Sequence, residues 1–139
     1  MRHRLLVHVT WTTRDRDAMI TAEIAQFLAE LLPTICRQER VRLDRLGVVR
    51  THVHLLLWLH PTTEIPRLLQ RLKGVSSVLT NKNGLAAPKD PLRWARGYSI
   101  ESVSPRSVSA ARDYVDTQPQ RHPKDAIPGW SPPHSEGAP

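Results

Sequence analysis

The stretch Thr51-His52-Val53-His54-Leu55-Leu56-Leu57-Trp58 constrains the fold more than any other part of the chain. β-branched and apolar residues dominate it and Pro61 closes it, so it reads as a strand placed centrally in a sheet. Alternate side chains of a strand share a face. His52 and His54 therefore point the same way, with Cα atoms roughly 6.5–7 Å apart at a rise of about 3.3 Å per residue. Val53, Leu55 and Leu57 face the opposite layer. Two imidazoles at that spacing can converge on one metal ion. With seven histidines in the chain, the triplet taken alone is explained equally well by chance.

A second feature lies downstream. Ala110 to Gln118 has helical character, and Tyr114 and Gln118 stand four residues apart. That spacing places a phenol and a carboxamide on one helix face, one turn apart. Packed over the histidine strand, such a helix can present a nucleophile, Tyr114, and a third ligand, Gln118, to the ion of His52 and His54.

The remaining elements follow from periodicity. Arg4–Thr13 reads as a strand, with Leu6, His8 and Thr10 on one face and Leu5, Val7, Val9 and Trp11 on the other. Ile20 to about Arg40 carries the apolar stripe of an amphipathic helix, capped by Thr21. Pro33 is expected to kink or split it. Val41–Arg50 is a strand, joined to the histidine strand by a link so short that the two must be antiparallel. A second helix, capped by Thr62 or Thr63, buries Ile65, Leu68, Leu69, Leu72 and Val75. Its other face carries Arg67, Arg71 and Lys73, followed by Ser76 and Ser77. This is either a solvated helix surface or a phosphate-binding face, where Gly74 allows close approach and hydroxyls add donors. Asn81–Pro91 is a loop. In Arg93-Trp94-Ala95-Arg96-Gly97, cations flank an aromatic ring that can stack an unpaired base, and Trp94 reads equally as a core residue. Tyr98–Val103 is the fourth strand. Ser104-Pro105 opens a third helix that Pro119 ends. The order strand, helix, strand, strand, helix, strand is the ferredoxin-like βαββαβ pattern of the α+β class, with helices on one face and the last helix an addition. Residues 1–118 form the domain. From 119 to 139 the composition shifts to Pro, His, Ser and Gly, as in an extended, loosely packed tail, with Trp130 its one anchor.

A length of 139 residues suits one domain. Lys and Arg number 20 against 13 Asp and Glu, a net charge of +7. That excess favours a polyanion as partner, nucleic acid or an anionic membrane surface, although a merely basic protein has the same balance. Cys36, the single cysteine, permits no internal disulfide and fits a packing role in a reducing compartment. The apolar run after the basic start is too short for a signal peptide, and no run of about 18 apolar residues is present to span a membrane.

An apolar strand with His-x-His, followed much later by a helical Tyr-x-x-x-Gln, resembles the HUH single-tyrosine transposases of bacterial insertion sequences. The resemblance runs from about Arg4 to about Gln118. Arg71–Ser77 and Trp94–Tyr98 stand in the order of two further family segments. Thr51 departs from the family, which often has an acidic residue before the first histidine, and Pro33 departs in the first helix. The resemblance implies a transposase that cuts and rejoins single-stranded hairpin DNA through a 5′-phosphotyrosine on Tyr114. It implies Mg2+ or Mn2+ at His52, His54 and Gln118, although two imidazoles on softness grounds favour Zn, Ni or Cu. It also implies a homodimer, acting with the nucleoid in the bacterial cytoplasm. Within the HUH class, relaxases place the tyrosine before the histidines and replication initiators carry Tyr-x-x-Lys, and neither pattern occurs here. Tyr98 is the rival nucleophile. Two other classes compete: a domesticated binder that grips hairpin nucleic acid without cutting, and a metal hydrolase that uses water as nucleophile.

Overall fold

In the computed structural model, residues 5–133 are described. Arg4, the expected start of the first strand, and residues 134–139 of the expected tail lie outside them. Four strands, β1 (Leu5–Thr12), β2 (Arg42–Val48), β3 (His52–Leu59) and β4 (Ser99–Val103), form one sheet in the order β2-β3-β1-β4. Every neighbouring pair is antiparallel. This is the βαββαβ order expected from the sequence, with the histidine strand in the interior of the sheet.

The period-two pattern divides the sheet into two layers. Val7, Val9 and Trp11 of β1 and Val53, Leu55 and Leu57 of β3 face α1 (Ala22–Gln38) and α2 (Ile65–Lys82). Ile24, Leu28, Leu32 and Ile35 of α1 and Leu68, Leu69 and Leu72 of α2 close this core, and all are 2% exposed or less. A fully buried aliphatic side chain of this size contributes about 1.5–3 kcal/mol relative to exposure, so this layer holds the bulk of the apolar stabilisation. Cys36 is buried within it, as a packing residue should be, and burial pushes its thiol up to about 12. Thr21 caps α1, its hydroxyl accepting the Ile24 N–H at 3.3 Å.

Three local expectations need correction. Pro33 does not split α1, which runs as one helix of 17 residues through it. The cap of α2 is Glu64 and not Thr62 or Thr63, whose hydroxyls bond instead to His60. The third helix begins later than Pro105: residues Pro105–Ser107 make a 3-10 turn, and α3 runs Val108–Asp116, followed by a short α4 at Gln118–Arg121.

The other sheet face is covered by α3, with the start of α4 beside it, opposite α1 and α2. Leu6, Leu56 and Val115 form its small buried cluster. Two features of β2 seat the helix. A bulge leaves Asp44 without a register partner between Leu43 and Arg45. The extra residue turns two successive side chains to one face. Asp44 accepts two hydrogen bonds from Arg112 of α3, each 2.8 Å, and one from the Trp58 indole at 3.1 Å, while Arg45 pairs with Asp116 at 3.4 Å. Three residues on, Gly47 lies under the helix. A Cβ there would stand 2.7 Å from the Val115 carbonyl oxygen, so only glycine fits beneath the seated helix.

The segment after α4 is not a loose tail throughout. Ile127 is 6% exposed within the main core. The Arg50 N–H donates to the Asp125 carbonyl at 2.7 Å, and the Trp130 indole donates to Gln26 of α1 at 3.0 Å. Trp130 is the anchor the composition pointed to. It holds a strap that returns across the β2–β3 turn to α1.

Candidate active site

His52 and His54 project from β3 toward α3, and both are nearly buried, at 6% and 5% exposure. Their rings lie 4.9 Å apart, edge to face. The register sets His54 opposite Thr10 of β1 and opposite Gly47 of β2. Each imidazole has its Nδ1 engaged. The Thr51 hydroxyl is 2.9 Å from Nδ1 of His52. His8 Nε2 is 2.8 Å and the Thr10 hydroxyl 3.1 Å from Nδ1 of His54. Where Nδ1 carries the ring proton, Nε2 is the nitrogen with a lone pair to offer.

Gln118 sits one turn after Tyr114, fully buried. Its amide nitrogen donates to the Tyr114 carbonyl at 2.9 Å, satisfying one of the carbonyls orphaned where α3 ends. With the nitrogen committed, the amide oxygen faces Nε2 of His52 at 3.4 Å. The Tyr114 ring stands edge-on to His8 and to His54, 5.7 Å from each. Arg121 lies over its other face, 4.8 Å from the ring centre. Tyr114 is 37% exposed, open to solvent beside three nearly enclosed polar side chains. The phenol, both imidazoles and the carboxamide singled out in the sequence therefore meet within one chain.

Burial disfavours the protonated form of all three imidazoles. Burial, then the charges of His52, His8 and His122, pushes His54 down to about 3. Burial lowers His52, partly offset by the bond to Gln118. Burial also lowers His8, against the pull of Glu101. A neutral ring with a free Nε2 is what metal ligation requires. Among the described residues no group of three or more His, Cys, Asp or Glu is arranged to hold a metal. The third donor here is an amide oxygen. His52 Nε2 and Gln118 Oε1, 3.4 Å apart, share a proton when His52 is protonated on Nε2 and can instead both ligate a cation when it is not.

His8 is the site residue the sequence reading missed. Its placement on the Leu6–Thr10 face was the available signal; the β1–β3 register brings it to His54. His122, exposed on the segment after α4, stands 5.4 Å from the His52 ring.

The expected nucleic-acid contacts separate into two groups. Arg67 and Arg71 lie on α2, across the sheet from the histidines, and pair with Glu39 at 3.4 and 3.7 Å. Ser76 is corrected: it is fully buried, donates to the Lys73 carbonyl and accepts from the Trp94 indole at 3.1 Å, so no phosphate reaches it. Trp94 is half-buried and packs against the core, edge-on to Trp11 at 5.8 Å. Lys73 spends its ammonium on the carbonyls of Ala95 and Gly97, at 2.8 and 2.7 Å, and burial lowers its pKa. Ser77 bonds to the Gly74 carbonyl at 3.2 Å. Arg93 and Arg96 are exposed on the loop that pairs with Thr13, at the same end of the sheet as His52.

A ferredoxin-like sheet with a paired-imidazole face and a tyrosine helix docked over it corresponds to the fold of single-tyrosine transposases. The sequence model of the family described as "Transposase IS200 like" matches residues 1–118. The chain belongs to that family and is a transposase of the IS200 type. It is 29% identical over 122 residues to the ISDra2 transposase TnpA of Deinococcus radiodurans, covering 84% of this chain and 85% of that protein. It is 25% identical over 114 residues to the IS200 transposase of Salmonella typhimurium, covering 80% of this chain and 74% of that one. A Deinococcus radiodurans crystal structure described as that of a transposase superposes with a TM-score of 0.66 at 28% identity, over 85% of this chain and 93% of that one. The REP-associated tyrosine transposase bound to a REP hairpin shares the fold, with a TM-score of 0.67 at 15% identity, over 88% of this chain and 70% of that one. Among the described residues no helix is long and apolar enough to cross a membrane.

Proposed function

We propose that this transposase cuts and rejoins single-stranded DNA, folded as a hairpin, through a phosphotyrosine on Tyr114. The observation that carries this reading is the meeting of Tyr114 with His54 on one side and, through Gln118, with His52 on the other. His52 Nε2, His54 Nε2 and Gln118 Oε1 would hold Mg2+ or Mn2+, which supplies charge neutralisation at the scissile phosphate. Tyr114 Oη attacks phosphorus. The bond from phosphorus to the 3′-oxygen breaks, and the proton lost by the phenol ends on that oxygen, giving a free 3′-hydroxyl. The product is a 5′-phosphotyrosine, which a second 3′-hydroxyl can reverse without an external energy source. Arg93 and Arg96 lie at the histidine end and fit the role of guiding the strand by its phosphates. On α2, the exposed Arg67 and the half-buried Arg71 fit a more distant contact with the same DNA. A hairpin substrate is supported by the fold shared with the REP-associated protein and by the net charge of +7. The reading extends to a homodimer in the bacterial cytoplasm, where each copy carries a full set of site residues.

The test is incubation with end-labelled hairpin DNA and Mg2+ or Mn2+, followed by denaturing electrophoresis. A protein-linked label that disappears in Tyr114→Phe is expected, with DNA binding retained. Cleavage without a linked species would establish a hydrolase. Binding with neither would establish a non-cleaving relative.

A further inference from the structure

The proposed metal reading uses two histidines, yet a third imidazole contacts the pair. His8 of β1 lies diagonally across from His54, whose direct partner is Thr10. Diagonal neighbours on one sheet face are within reach of long side chains. The two rings are stacked, 5.0 Å apart and 18° from parallel, with His8 Nε2 2.8 Å from His54 Nδ1.

A neutral imidazole has one N–H and one lone pair, so this short contact has two possible senses. If His8 donated, the His54 proton would sit on Nε2, and His54 would have no lone pair to give a metal. If His8 accepts, His54 is protonated on Nδ1 and its Nε2 is free. The Thr10 hydroxyl, 3.1 Å from the same Nδ1, can donate or accept and so fixes neither sense. Glu101, paired with His8 across β1 and β4, sets a negative charge near this ring, which suits a His8 that keeps its own proton on Nδ1 and accepts at Nε2.

We propose that His8 is a positioning residue: by accepting the His54 Nδ1 proton it fixes the tautomer and ring orientation that leave His54 Nε2 free for the metal. This rests on the metal reading above but is separable from it. His8 acts as the carboxylates or carbonyls behind metal-bound histidines do. Loss of such a partner typically costs about 10–100-fold in metal affinity. At His52 the Nδ1 contact is the Thr51 hydroxyl, 2.9 Å away.

The test uses the intact, metal-free protein with 15N-labelled histidines, in which long-range proton–nitrogen correlations report which ring nitrogen carries the proton. Wild-type His54 is expected to be protonated on Nδ1. In His8→Leu, with only Thr10 left, a mixture of tautomers is expected, and Mn2+ affinity measured by calorimetry should fall about 10–100-fold. His8→Gln, whose amide oxygen can accept the same proton, should recover most of both. It also answers for the leucine variant if that one fails to fold. A His54 proton on Nε2 in the wild type, or an unchanged tautomer and Mn2+ affinity in His8→Leu, overturns the role of His8. A fixed Nδ1 tautomer in a wild type that binds no Mn2+ upholds the role and overturns the metal reading instead.

Discussion

Gly47→Ala tests the seating of the tyrosine helix. An added Cβ would stand 2.7 Å from the Val115 carbonyl oxygen, 3.1 Å from Val115 Cγ1 and 3.4 Å from Gln118 Cγ. The nearest of these is backbone and cannot swing aside. Ordinary contact begins near 3.4 Å, so α3 must retreat by roughly 0.7 Å. In an open strand, glycine to alanine is normally stabilising by about 0.5–1 kcal/mol, because glycine loses more chain freedom on folding. Here overpacking of about 1–3 kcal/mol opposes that gain, and a net loss of stability is expected. The same retreat carries Gln118 and Tyr114 away from the histidines. Misplacement near 1 Å costs on the order of a hundredfold in rate, so single-turnover cleavage of labelled hairpin DNA should fall roughly ten- to a hundredfold. DNA binding should be retained, since Arg93 and Arg96 lie elsewhere. Urea unfolding and the cleavage rate are read on the same variant. A protein as stable and as active as the wild type would refute the close approach of α3 to β2.

Asp44→Asn should destabilise by about 2 kcal/mol, by weakening the charged bonds to Arg112. Burial raises the Asp44 pKa, but the hydrogen bonds of Arg112 and Trp58 and the charges of Arg112 and Arg45 outweigh it and hold the carboxyl below its ordinary range. Its contribution is therefore full above about pH 3.9 and lost as pH falls through the lower folded value, and urea midpoints against pH should show a flatter acid arm in the variant. His54 works in the other window. Its folded pKa is depressed to about 3, so the unfolded chain takes up a proton the folded site refuses. Stability of the metal-free protein should decline as pH drops below about 6.5, and His54→Gln should lose part of that slope; an identical slope would contradict the burial of the ring. Ile127→Ala should cost about 2 kcal/mol in urea unfolding, since the strap contributes to the core, whereas a loose tail would show no change.

The strand order, the face shared by His52 and His54 and the turn shared by Tyr114 and Gln118 were legible because each depends on local periodicity. What was not legible depends on register and on contacts between distant segments. His8 and His54 are 46 residues apart, and only strand pairing makes them neighbours. The Asp44 bulge reads in sequence as one more polar residue in a poorly alternating strand. Ser76 matches a nucleic-acid contact by composition, yet it is buried and accepts the indole N–H of the half-buried Trp94, which in sequence reads equally as a packing residue. The strap was misread because proline-rich composition argues against regular structure, while Ile127 and Trp130 need only two anchoring points to pack.

The central claim is that the Tyr114 phenol and the His52, His54 and Gln118 donors meet at one phosphate. Diffraction from crystals of the Tyr114→Phe protein with hairpin DNA and Mn2+, recorded at the manganese edge, tests it most directly. The expected result is a single anomalous peak bonded to His52 Nε2, His54 Nε2 and Gln118 Oε1, with the residue 114 ring in line with the bound phosphorus. A peak elsewhere, or a phosphate seated away from that ring in both copies, would contradict it.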